Sequence, residues 1–410
     1  MMLRKSIQAL RALSTNSTKV LAIETSCDDT AVAIVSKEKN ILASKKFTNR
    51  QIQTKLGGIC PSVCAQQHRE MLPKLLSECV EESGVHIREL AAVAVTVTPG
   101  LVIALKEGIH TAISLAKSMG VPLIPVHHMR AHALSILLST DRVKFPYCTL
   151  LISGGHALIC EVKSPDDFVL YGMSVSGSPG ECIDKVAREL DIENAHSHAG
   201  AAVEMLAKRA SENGHLRYSS VLPSTSGADM NFSQLKSTYL NLAAKHKNSP
   251  DFCREDFCAS LQHSVARHLT SKLHSFLDWY TENESNRSKT LVIGGGVAAN
   301  AYIANGITKL ADAYEMETFQ VPLELCSDNA EMIGYTAILM LENKSPAVIH
   351  HDQIPDNIYA HARSDIGVDH RWKIPAKPRR RLAVSTIHGN QSIRFHKDYK
   401  RMENAESQTL

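Results

Sequence analysis

Two strand–turn–strand passages, residues 20–35 and 147–162, constrain this chain more than any other feature. Both are apolar and rich in β-branched side chains, and both break at a short turn: a polar one at residues 26–29, a Gly154-Gly155 pair in the second. Helical and strand patterns follow each opening in a similar order. After the first, the spacing predicts a strand at 41–47, a helix at 66–81, a strand at 91–98 ending on Pro99-Gly100, a helix at 101–119, a strand at 121–126 and a helix at 127–138. After the second it predicts helices at 180–189, 199–210, 235–245 and 256–280. A strand at 291–293 then runs into Gly294-Gly295-Gly296, followed by a helix from Ala298, a strand at 318–321 and a helix at 329–341. The repetition implies an α/β protein of two related lobes, with mixed sheets flanked by helices, around a central cleft.

The length of 410 residues suits two such lobes better than one core. Their expected limits are 20–140 and 141–343, with a closing helix at about 328–342 packing back on the first. No run approaches the roughly 18 to 20 apolar residues that span a bilayer, so no membrane role is expected. Ten cysteines occur without a C-x-x-C pair, which excludes a zinc ribbon and fits reduced, buried thiols. Residues 1–19 read as a mitochondrial transit peptide. They carry Arg4, Lys5, Arg11 and Lys19 and no acid, with Leu3, Ile7 and Leu10 at helical spacing and a hydroxyl-rich stretch behind. The other reading is a basic arm. Residues 344–410 are polar, proline-containing and aperiodic, and are expected to form a partly disordered tail. Within them Arg371, Lys373, Lys377, Arg379, Arg380 and Arg381 surround Trp372. Such a tract either meets nucleic-acid phosphates or is simply solvated.

The chemistry-bearing residues are few. His128 and His132 stand four apart on a predicted helix, so both imidazoles leave one face, at ligand spacing for a divalent metal. In His-Met-Arg-Ala-His no glutamate follows the first histidine, so a metallopeptidase would lack its general base. His127 points elsewhere and reads as structural. Asp328, at a strand-to-helix junction in the second lobe, is the candidate third ligand; a plain helix cap is the alternative. Two histidines and one carboxylate leave coordination positions open for substrate. The turns at 153–156 and 294–300 are either anion cradles or merely a tight hairpin and a helix entry. Neither matches a dinucleotide fingerprint or a P-loop.

Nine ordered blocks, spread over about residues 19–341, make the pattern specific. They are IETSCDDT (23–30), GGICP (57–61), TPGL (98–101), VHHMRAH (126–132), LISGGH (151–156), GECIDKVAR (180–188), NFSQLK (231–236), GGVAAN (295–300) and SDN (327–329). With them the chain resembles the tRNA N6-adenosine threonylcarbamoyltransferase family, and most of all its mitochondrial branch. The resemblance implies the two-lobed fold of the actin, hexokinase and Hsp70 ATPases. It implies transfer of a threonylcarbamoyl group from threonylcarbamoyl-AMP, made by a separate synthase, to N6 of the adenosine at position 37. The acceptors would be tRNAs reading codons that begin with A. One divalent metal ion, zinc or iron, would be held by His128, His132 and Asp328. Leu151, Ile152, Ser153, Gly154, Gly155, Asp184, Gly200, Glu204, Ala299, Asn300 and Ser327 would bind the adenylate, in a homodimer. The chain departs from the family pattern at Arg130 and Ala131, where a Glu-Gly pair is usual, at Ser176 and Gly177, and at Ala199. Competing readings are an ATP-dependent phosphotransferase of the same fold and a nucleotide-binding scaffold without activity.

Overall fold

The computed structural model describes residues 17–56, 58–192 and 199–396. The expected leader therefore lies outside the described residues except at its end, where Lys19 already begins the first strand. The chain divides into unit 1, Met1–Ser139 with Asp328–Ser364, and unit 2, Thr140–Ser327 with Asp365–Leu410.

Unit 1 is built on five strands: β1 (Lys19–Glu24), β2 (Thr30–Ser36), β3 (Ile41–Phe47), β4 (Leu90–Thr98) and β5 (Leu123–His127). They lie in the order β3-β2-β1-β4-β5. β1, β2 and β3 pair antiparallel, and β1, β4 and β5 parallel. Side-chain alternation then decides what packs where. Leu21, Ile23, Val32 and Ile34 join a core with Leu72 and Leu75 of the helix Pro61–Ser83 and Leu105 and Ile109 of the helix Val102–Met119. The opposite face, with Ala22 and Val35, receives the helix Ala330–Glu342. A Cβ on Gly334 of that helix would lie 3.1–3.2 Å from those two side chains, a tighter contact than side chains usually make, so a glycine suits so close an approach.

Unit 2 has a seven-stranded sheet. Its strands are β6 (Tyr147–Ile152), β7 (Ala157–Val162), β8 (Phe168–Ser176), β9 (Met230–Asn231), β10 (Thr290–Gly294), β11 (Glu317–Gln320) and β12 (Val368–Asp369). They run in the order β11-β10-β6-β7-β8-β12, with β9 beside β8. The 30-residue helix Arg254–Asn283 runs through its core, buried along most of its length. β8 was not expected: Gly172 interrupts its apolar run, and beyond it two serines alternate with Met173 and Val175.

The segment expected to be a partly disordered tail is packed as far as it is described. Ile349 exchanges two 2.9 Å backbone hydrogen bonds with Leu123, and Asp356 pairs with Lys117 at 2.7 Å. Lys309 donates to the carbonyls of Thr386, Ile387 and Gly389. Ile354, Ile366, Ile374, Ile387 and Ile393 are all buried, but they stand singly and without period, so no pattern in the sequence announces them. Among the described residues no helix is long and apolar enough to cross a membrane. All ten cysteines are free, most of them buried; burial pushes the Cys182 and Cys258 thiols up to about 12.

Candidate metal centre and nucleotide cradle

β5 ends at His127, and the chain turns at once into the short helix His128–Leu134. His127 caps it, accepting the Arg130 N–H at 3.4 Å, and burial with the nearby positive charge of Arg130 pushes it down to about 3. It is structural. One turn apart on the helix, the His128 and His132 rings meet edge to face with centroids 4.6 Å apart. Both are nearly fully buried.

Asp328 faces them. Its Oδ1 lies 3.4 Å from His128 Nε2 and 3.2 Å from His132 Nε2. Asp328, expected at a junction in the second lobe, lies in unit 1, with the helix that follows it packed on β1 and β2. Nor is it that helix's cap. Asn329 accepts the Met332 N–H at 2.8 Å, which leaves the Asp328 carboxylate to the histidines.

A fourth group, missed in the sequence, completes the cluster. Glu24, at the end of β1 and wholly buried, places Oε2 3.2 Å from His128 Nδ1. Its other bonds fix it there: Oε1 accepts the Ser26 N–H at 2.6 Å, and Oε2 the Thr96 hydroxyl. A carboxylate on the far nitrogen of an imidazole sets the tautomer that leaves Nε2 able to bind a metal. His132 has no such support, since its Nδ1 is buried without a partner.

Electrostatics tie the four together. Burial works against charge on His128, but Asp328 and Glu24 outweigh it and push its pKa up to about 10. Against the same burial, His128 holds Asp328 well below the usual carboxylate range and lowers Glu24 as well. Burial keeps His132 below its ordinary value. One proton on His128 thus balances part of the carboxylate charge, and a cation could take its place.

The donor set fits a metal ion. His128, His132 and Asp328 each present one ligand atom, all within 4.8 Å of one another. Metal–ligand bonds of roughly 2.0–2.2 Å put neighbouring ligands about 3.0–3.5 Å apart, and the Asp328 distances fall in that range.

In unit 2 most of the residues expected at the adenylate gather at one end of the sheet. β6 and β10 run parallel with Gly294 opposite Leu151, so Leu151, Ile152 and the triple glycine leave the sheet side by side. Gly295, at φ +90°, lies so close to β6 that a Cβ would stand 2.4 Å from the Ile152 carbonyl oxygen. Ser153 accepts the N–H groups of Gly155 and His156 on its hydroxyl, which engages two amides of the turn. Its carbonyl accepts the Gly180 N–H at 3.2 Å, joining the turn to the start of the helix Pro179–Glu189, which carries Asp184. Glu204, in the helix Ala199–Ala207 with Gly200, accepts the Ala301 N–H at 3.3 Å. Asn300 caps the helix Ala301–Ala313, and Ala299 and Ser327 are exposed. The turn Leu323–Cys326, just before Ser327, packs on the segment Gly296–Ala299.

The family model described as tRNA N6-adenosine threonylcarbamoyltransferase matches residues 40–335. A Caenorhabditis elegans protein named a probable mitochondrial tRNA N6-adenosine threonylcarbamoyltransferase is 57% identical over 393 residues, 94% of this chain and 93% of its own. The human mitochondrial protein of that name is 35% identical over 332 residues, 78% of this chain and 80% of its own. Among solved structures, T.kodakarensis HypF superposes with a TM-score of 0.54 at 14% identity, over 83% of this chain and 49% of that one. That likeness is one of fold.

Proposed function

The chain belongs to the tRNA N6-adenosine threonylcarbamoyltransferase family, and from that premise we propose how its residues divide the reaction. It is a transferase that modifies tRNA in the mitochondrion. The donor is threonylcarbamoyl-AMP, supplied by a separate synthase, and the acceptor is N6 of adenosine 37 in tRNAs reading codons that begin with A. The amine attacks the carbamoyl carbon. An N6–C bond forms, the C–O bond to phosphate breaks, and AMP leaves with the electron pair while the amine gives a proton to water or phosphate. AMP is a good leaving group, so the difficulty lies in orientation and in charge at the carbonyl oxygen.

The observation that carries this reading is the His128, His132 and Asp328 donor set with Glu24 behind it. A zinc or iron(II) ion held there would polarise an oxygen of the donor. The chain's own residues do the rest. The open backbone of the Ser153-Gly154-Gly155 turn, where no Cβ intervenes, receives the phosphate. Asp184 and Glu204 meet the ribose hydroxyls, and Asn300 and Ala299 flank the nucleoside. The protein works as a homodimer. No observation favours a phosphotransferase or an inactive scaffold.

Depleting the protein and analysing mitochondrial tRNA nucleosides by mass spectrometry tests the reading. Threonylcarbamoyladenosine is expected to disappear, to return with the wild-type chain, and not to return with His132→Ala, whose metal content falls while its fold persists. Modification that persists after complete depletion would sink it.

A further inference from the structure

The basic tract divides in the structure. Arg371 is bonded to Asp369 and Asp229, Arg380 to Asp278, and Arg379 is paired with Glu282. These three fasten the segment to unit 2. Lys373, Lys377 and Arg381 have no carboxylate partner among the described residues. Lys373 also stands between two indoles, its Nζ 6.0 Å from the Trp279 ring centroid and 5.9 Å from that of Trp372. Trp372 is 76% exposed although it follows an anchored arginine. Beside them is a hollow of about 330 Å³, lined in part by Trp279, Lys373, Lys377 and Arg379.

We propose that this face of unit 2 is a docking surface for the tRNA substrate; it rests on the reading of the chain as a tRNA-modifying enzyme. An exposed indole offers a face on which an unpaired base stacks whatever its identity. The three cations without a carboxylate partner supply charges for the adjoining phosphates, spread over nine residues of chain instead of gathered at one point. A membrane surface suits it less well, since the segment is a single turn, Arg371–Lys373, followed by Pro375 and Pro378, with no apolar helix face to insert.

The test measures binding of the full-length protein to an unmodified tRNA transcript over a range of salt concentrations. Trp372→Ala is expected to weaken binding by about tenfold, and Trp372→Tyr, which keeps a stacking face, to restore most of it. Replacing Lys373, Lys377 and Arg381 together by alanine is expected to reduce the slope of log K against log salt by about 2. Should the triple variant fail to fold, the Trp372 pair decides alone. Unchanged affinity and slope overturn the proposal. So does loss of binding to phosphatidylcholine–phosphatidylglycerol vesicles while tRNA affinity holds, which makes the face a lipid surface. Wild-type binding with unaffected variants defeats the surface only, whereas no wild-type binding defeats the tRNA reading beneath it.

Discussion

At the scale of single residues, Glu24 is the least replaceable of the polar groups. Among the described residues it is the carboxylate on the far side of a metal-facing imidazole, the Ser26 N–H and the Thr96 hydroxyl donate to it, and the Ser26 hydroxyl lies 3.2 Å from the same His128 Nδ1. Glu24→Gln keeps the shape but removes the charge. Metal affinity, measured by competition with a chromophoric chelator, should fall about 10- to 100-fold, with little change in melting temperature; an unaltered affinity would show that Glu24 only fills space. The histidine pair was legible because two imidazoles four apart on a helix share a face whatever surrounds them. Glu24 was not, because it lies 104 residues from His128 and only the pairing of β1 with β4, and of β4 with β5, brings them together. Without a glutamate after His128 a metallopeptidase would lack its general base, and Glu24 supports the His128 imidazole from behind.

At the scale of elements, most strands and helices lie within a few residues of where the spacing predicts them, since apolar period alone fixes them. What failed were features that need a partner to be visible: β8, and the isolated isoleucines of 354–393. The start of the helix Arg254–Asn283 shows how a polar residue secures an element. Asp256 is buried and accepts the Ser211 N–H at 2.8 Å, the Ser211 hydroxyl at 2.9 Å and the Arg217 guanidinium at 3.0 Å. Burial opposes its ionisation, but these bonds outweigh it and lower its pKa. A carboxyl lowered on folding stabilises fully above its unfolded pKa of about 4, and the contribution is lost as pH falls through the folded value. Asp256→Asn should therefore cost roughly 1–3 kcal/mol near neutral pH, measured by urea denaturation. The deficit should shrink in acid, as the wild type surrenders the same interaction; a deficit independent of pH would contradict this.

At the scale of the whole molecule, the repeated layout in the sequence was a sound guide to two α/β units, and the helix Ala330–Glu342 packs on the sheet of unit 1. Because every ligand of the metal centre lies in unit 1, removing the ion should act there. Chelation should raise amide hydrogen exchange in β1, β5 and the helices His128–Leu134 and Ala330–Glu342, and leave the helix Arg254–Asn283 as it was, since a bound ion stabilises what it binds. Equal changes in both would place the ion elsewhere. Unit 1 is also discontinuous: Asp328 comes 196 positions after His132, and nearly all of the chain between them forms unit 2. A ribosome therefore releases both imidazoles long before the carboxylate exists, so a growing chain has no competent cation trap. The ion can be captured only after synthesis has passed through the inserted unit, which makes metallation a late event in the protein's maturation.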